Sequence, residues 1–355
     1  MGYPFQKQID FLLEYACPSI RYLVHRDMLH TPKDEPFMVT LQNEILGQPN
    51  TRKHFSAQSP DGWFGSELHG IDGMDCHIGG LLNLGVEADH PAIRKAVTAL
   101  LTPETASAHR NWFRGGAALD AEGRGGDRAV TANILAMVKA PEGIPVYAEQ
   151  LSLAFAHLSA VLQYDSVDDF TVRGKNERYY KPNARFPGAN HIGILSAACG
   201  WKTDENLKTA RAAASRAYEL MKDVDEFITF KKPKEYGGGF VGPFNYNWQA
   251  LRPMTGEQIF GVMNSAYSFQ FAFWLSAVTG VPDWVKQYND TYEVLADLLE
   301  RNEIFGRLPE KALGSFRQVS GKEPSYRKKY AAVCDVMYAV LKAVWGKVSG
   351  TNEFG

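Results

Sequence analysis

Apolar positions recur along most of the chain at the three-to-four-residue spacing of helices, and strand-like alternation is scarce. The pattern predicts helices over Gln6–Tyr15, Ser19–Leu29 and Glu35–Leu46, and Pro18 sits where a helix's first turn tolerates proline. A stretch of about 27 residues then reads as loop until Met74, where an apolar helix opens. Further helices are predicted over His90–Leu101 (with Asp89 as cap), Arg128–Lys139 and Pro145–Tyr164. A helix through His191 follows, and Thr203 caps another over Glu205–Met221. Ile259–Thr279 is apolar on nearly every side, Pro282–Glu300 is amphipathic, and Tyr326–Trp345 is the last helix.

These elements pair. One helix of each pair is charged along one side; its partner is rich in Gly, Ala, Ser and large apolar residues. The first kind predicts an outer ring and the second an inner ring, where Gly79, Gly80, Gly193, Ala197, Ala198, Ala331 and Ala332 permit close packing. About twelve helices in six such pairs suggest an all-α, (α/α)6 toroid: one domain over residues 1–349 and a frayed tail at 350–355. Turns from inner to outer helix are short, and crossovers to the next inner helix are long. The long crossovers should therefore emerge on one face, beside the inner-helix N-termini, whose free N–H groups carry partial positive charge.

Two inner helices share a phrase. Asp75-Cys76-His77-Ile78-Gly79 opens one, and Asn190-His191-Ile192-Gly193 opens the other. Asp75 suits a cap or a catalytic acid or base; His77 and His191, near neutral pKa, suit proton transfer. Cys76 at a helix start suits a nucleophile, with a small buried apolar side chain as the plainer reading. Tyr179, Tyr180 and Tyr246 could assist them. Trp63, Trp112, Phe244, Trp248 and Tyr267 predict an apolar binding surface, joined by Asn190 and Asn264, while Arg128 and Arg178 could hold an anionic group. No cofactor is expected. Zinc on Asp75 or Cys76 with His77 and His191 is the one alternative kept open, although the familiar ligand spacing is lacking.

Composition narrows the partners. A net charge of −2 offers no field for nucleic acid, and four scattered cysteines fit a reducing compartment. No apolar run is long enough to span a bilayer, and the N-terminus lacks a signal pattern, so a cytoplasmic protein acting on a small molecule is expected.

Three passages, Pro18-Ser19-Ile20-Arg21-Tyr22-Leu23-Val24-His25-Arg26-Asp27, Ser59-Pro60-Asp61-Gly62-Trp63-Phe64-Gly65 and Phe186-Pro187-Gly188-Ala189-Asn190-His191, carry a family likeness. In them the chain resembles the terpenoid cyclase/protein prenyltransferase superfamily, specifically its bacterial squalene-cyclase-like proteins of one toroid. The resemblance implies a double ring of helices and a central, largely apolar substrate cavity. It carries a catalytic acid onto Asp75, within Asp72-Gly73-Met74-Asp75. The function expected is acid–base isomerisation, cyclisation or elimination. A carbohydrate lyase or hydrolase and a non-catalytic binding or scaffold protein are the alternatives.

Overall fold

The computed structural model describes residues 5–70, 72–109, 116–226, 228–229, 274–275, 277–280 and 321–348. The expected helices Ile259–Thr279 (except its last residues) and Pro282–Glu300 lie outside the described residues, as does the tail.

The described chain is mostly helical. Its helices are α1 (Gln6–Tyr15), α2 (Pro18–Asp27), α3 (Pro36–Gly47), α4 (Pro49–Phe55), α5 (Met74–Asn83), α6 (Pro91–Leu101) and α7 (Pro103–Ala108). They continue as α8 (Gly116–Ala121), α9 (Asp127–Met137), α10 (Pro145–Ala160), α11 (Val167–Phe170), α12 (Ala189–Ala197), α13 (Asp204–Met221) and α14 (Ala331–Val348). Proline opens α2, α3, α4, α6, α7 and α10, at the position where its missing N–H is not needed. The Thr203 hydroxyl accepts from Asn206 N at 3.2 Å and caps α13. The cap of α6 is His90 rather than Asp89: the His90 ring accepts from Ala92 N.

Several stretches expected as plain loop carry structure, α7 and α8 before α9 among them. α4 lies in the crossover before α5. A small sheet pairs β1 (Thr171–Arg173) antiparallel to β2 (Arg178–Tyr180), both between α11 and α12, and β3 (Ile228–Thr229), after α13, parallel to β2. Strands this short leave no alternation to read.

Packing follows chain order. α2 packs on α3, α5 on α9, and α9 on both α10 and α12; α13 packs on α10. The last helix, α14, packs on α1 and α2. Three apolar clusters result. One joins α1, α2 and α14 around Leu12, Ile20, Met337 and Leu341. A second gathers Trp63, Phe64, Ile78, Leu81 and Ile93 with Val130 and Ile134 of α9. The third takes the opposite side of α9 through Ala132 and Leu135, with Tyr147, Ile192 and Leu195. α9 is thus the wall between two halves.

The joint of α14, α2 and the segment before α14 is polar and buried. Asp335 accepts from Lys322 N at 2.7 Å and from Glu323 N at 3.2 Å. Glu323 in turn accepts from Cys17 N at 2.7 Å. Burial pushes the Glu323 carboxyl up to about 7, the Cys17 hydrogen bond opposing and the Asp335 charge adding. The folded protein therefore holds that proton more tightly than the unfolded chain does. This contribution is complete below about pH 4.5 and is lost as pH climbs to about 7. Glu323→Gln, which keeps an acceptor for Cys17 N, should gain on the wild type between pH 4.5 and pH 8. The gain expected is on the order of 1 kcal/mol, read from denaturant unfolding at both pH values.

Candidate active site

α5 is built with two sides. Met74, His77, Ile78 and Leu81 are buried, whereas Cys76 and Asn83 are exposed and Gly79 and Gly80 half-buried. Cys76, Gly79, Gly80 and Asn83 share one helical face at the i, i+3, i+4, i+7 spacing. On this face Gly80 lies against His54 of α4 and Gly79 against Met137 of α9, while Cys76 and Asn83 are exposed. Cys76 reaches solvent there, yet burial pushes its thiol up to about 12, with the neighbouring Asp75 charge adding. The same shift keeps Cys76 a thiol at neutral pH, which argues against a thiolate nucleophile.

The first turn of α5 holds two carboxylate–histidine pairs. Asp75 Oδ2 lies 2.6 Å from His69 Nδ1, and Asp75 Oδ1 accepts from Cys76 N at 2.8 Å. Burial works against a charged His69 ring, but the hydrogen bond and charge of Asp75 outweigh it and raise the His69 pKa. Asp75 is the second residue of α5 and Gly73 is its cap, so Asp75 is not the capping residue.

The second pair extends into a chain. Asp72 Oδ1 lies 3.0 Å from His77 Nε2, and His77 Nδ1 lies 3.2 Å from His54 Nδ1, on the last turn of α4. A carboxylate only accepts, so His77 Nε2 donates to Asp72. In the tautomer with one proton on His77, its Nδ1 accepts from His54 Nδ1, and the His54 Nε2 lone pair is the end of the chain. Burial and the nearby His77 pull the His54 pKa down to about 4, so that lone pair is available at neutral pH. His54 lies against Gly80 on this face of α5. A Cβ on Gly80 would stand 2.6 Å from its Nε2 and 2.4 Å from its Cε1, so only glycine admits the ring. Phe64 stacks on His77 at 6.1 Å and backs the chain with apolar surface.

His191 belongs elsewhere. It is in the first turn of α12, as His77 is in that of α5, and it too faces a histidine from the last turn of an earlier helix. The rings of His191 and His157 (α10) stack at 4.5 Å. But His191 Nδ1 accepts from Gly188 N at 3.1 Å, replacing the glutamate of a capping box. His157 lies 3.3 Å from Phe186 O and 2.9 Å from Gly123 O. Burial, then His157, drives the His191 pKa well below its ordinary value. α9 packs against both α5 and α12, between the two pairs. The expected meeting of His77 and His191 over one substrate is not what the fold builds: each ring turns to its own partner.

The remaining candidates scatter. Trp63 is 1% exposed, in the core, with His109 stacked on it at 4.5 Å. Tyr180 is buried beneath the Arg124 guanidinium, and Tyr179 donates to Glu177 at 2.6 Å within the sheet. Arg178 is buried against Thr171 and Asp168, and Arg128 pairs with Glu149 on α10. Asn190 is half-buried and accepts from Asn133 Nδ2 of α9 at 3.2 Å. Trp112, Phe244, Tyr246, Trp248, Asn264 and Tyr267 lie outside the described residues. Among the described residues no group of three or more His, Cys, Asp or Glu is arranged to hold a metal. Nor is any helix there long and apolar enough to cross a membrane. Comparison with protein-family models, with curated proteins and with solved structures finds no match.

Proposed function

We propose that the protein is a small-molecule enzyme that works by proton transfer, with His54 as the general base and the Gly80-bearing face of α5 as the floor of its site. The observation that carries this reading is the Asp72–His77–His54 chain ending in a lone pair over Gly80. When Nε2 of His54 takes a proton, its Nδ1 proton can pass to His77 Nδ1. The positive charge then rests on His77 beside Asp72, not on a desolvated His54. Asp75 and His69 form the complementary acid side of the site. The Asp75 carboxylate is held by two donors, which suits ion pairing better than protonation of an alkene. Isomerisation and elimination therefore fit better than acid-initiated cyclisation.

The packing of α14 back onto α1 and α2 supports the reading of a closed (α/α)6 ring around this site. The resemblance to terpenoid cyclases supports the same architecture, with the acid–base chemistry moved from a lone aspartate to a relayed histidine.

The test is an untargeted one. The full chain is incubated with a cell metabolite extract in D2O, and mass spectrometry follows depletion and deuterium uptake. At least one metabolite should change with the wild type, and His54→Gln should slow that change by about 10²–10⁴-fold. Equal rates for wild type and His54→Gln, or no change with either, would return the protein to the class of binding proteins.

A further inference from the structure

Lys322 is 5% exposed, an unusual place for an ammonium group. Its backbone is clamped on both sides. Its N–H goes to Asp335, and its carbonyl accepts from Asn50 Nδ2 at 3.0 Å and from the Cys17 thiol at 3.5 Å. So fixed, the side chain runs inward between α2, α5 and α14. Its Nζ lies 5.0 Å from the centre of the Tyr338 ring and donates to Asn83 Oδ1 at 3.0 Å. Asn83 is exposed, on the same face of α5 as Gly80, against which the His54 ring lies. Gly80 and Asn83 are three residues apart on the helix, neighbouring positions on one face about 5–6 Å apart. The Lys322 amine and the His54 ring thus meet α5 at positions one helical turn apart.

We propose that Lys322 forms a Schiff base with a small carbonyl substrate, and that His54 removes a proton from the carbon next to that carbonyl. The proposal rests on the His54 reading above for its second step only. Three features support the first step. Burial pulls the Lys322 ammonium down to about 8 against the Asp335 charge, so part of it is neutral amine at physiological pH. Its rigid backbone presents one side chain in one direction. And a neutral imidazole is too weak to deprotonate an ordinary C–H bond, whereas a carbon beside an iminium is acidic enough.

The steps balance. The amine nitrogen bonds to the carbonyl carbon, and the carbonyl oxygen leaves as water with the two amine protons. Protonation of the imine gives the iminium. His54 Nε2 takes the adjacent proton, and the C–H electron pair becomes a C=C bond as the nitrogen is neutralised. Reprotonation at another carbon isomerises the substrate; loss of a leaving group from the next carbon is elimination. Hydrolysis returns the lysine.

Pyruvate is the probe. Full-length protein is incubated with pyruvate and sodium cyanoborohydride, which reduces an iminium to a stable secondary amine, and the adduct is mapped by peptide mass spectrometry. Lys322 should carry the adduct at least tenfold more than exposed lysines such as Lys33. No adduct at Lys322, or labelling no greater than at Lys33, overturns the proposal. The two steps separate in a second arm, exchange of the pyruvate methyl protons with D2O. His54→Gln should trap as the wild type does while exchange falls at least tenfold. Trapping at Lys322 with exchange unaffected by His54→Gln would support the Schiff base and overturn His54 as its base. His54-dependent exchange without trapping would overturn the Schiff base and leave the base intact.

Discussion

Asp335→Ala should cost about 3–5 kcal/mol, the range for breaking a buried charged network by removing one member. Asp335 is 2% exposed, and burial pushes its carboxyl up, with Lys322 opposing. It organises three groups at once: the N–H of Lys322, the N–H of Glu323 and the nearby Lys322 charge. Alanine leaves two buried N–H groups without this acceptor and removes the charge that steadies the ammonium. Glu323 in turn caps the start of α2 through Cys17 N, so the loss spreads from α14 to α2. Denaturant unfolding reads the total. Hydrogen exchange of the Lys322 and Glu323 amides reads the mechanism, since both should lose protection before the amides of α10 do. Asp335→Asn keeps one acceptor oxygen and should fall between wild type and alanine. Equal stability of all three proteins would show that the segment before α14 is held by something other than Asp335.

The contrast between that network and what the sequence suggested follows from length scale. α1, α2, α3, α5, α6, α10 and α13 were legible because each repeats its apolar spacing over ten or more residues, often behind an opening proline. α4, α7 and α11 are four to seven residues long, too short for a period to register. The strands of the sheet, at two or three residues, are shorter still. The two histidines of the shared His-Ile-Gly phrase, His77 and His191, each occupy a first helical turn beside a histidine from an earlier helix. A shared phrase does not bring two residues together, however. It gives each the same relation to its own neighbour, and α9 stands between them. His54 went unnoticed because it sits in a stretch read as loop and meets His77 only through the α4–α5 contact. Lys322 carried no signal at all: in the polar run Gly321-Lys322-Glu323-Pro324 nothing marks one side chain as turned inward.

Gly65→Ala should be the most damaging small change near the site. Gly65 has φ +68°, which a residue with a Cβ adopts at a cost of about 1–2 kcal/mol. An added Cβ would also stand 2.0 Å from the Asp72 carbonyl oxygen and 3.1 Å from His77 Cδ2. Backbone on the other side of the loop cannot step aside as a flexible side chain can. The 65–73 turn must move, although Asp72 O accepts from Ser66 N and Gly65 N donates to Ala57 O. Moving it withdraws Asp72 from His77, and with it the hydrogen bond that fixes the His77 tautomer and, through His77, the free lone pair on His54. Gly123 supplies the control. Its φ of +66° is nearly the same, but nothing lies within 4 Å of the position a Cβ would take. Gly123→Ala should therefore show the conformational cost alone, about 1–2 kcal/mol. Gly65→Ala should exceed it by the cost of the backbone collision, and it alone should disturb the histidine ring resonances of the Asp72–His77–His54 chain in NMR spectra. If the two alanine variants lose the same stability and leave those resonances equally unchanged, the turn is not what holds Asp72 against His77, and the relay loses its anchor.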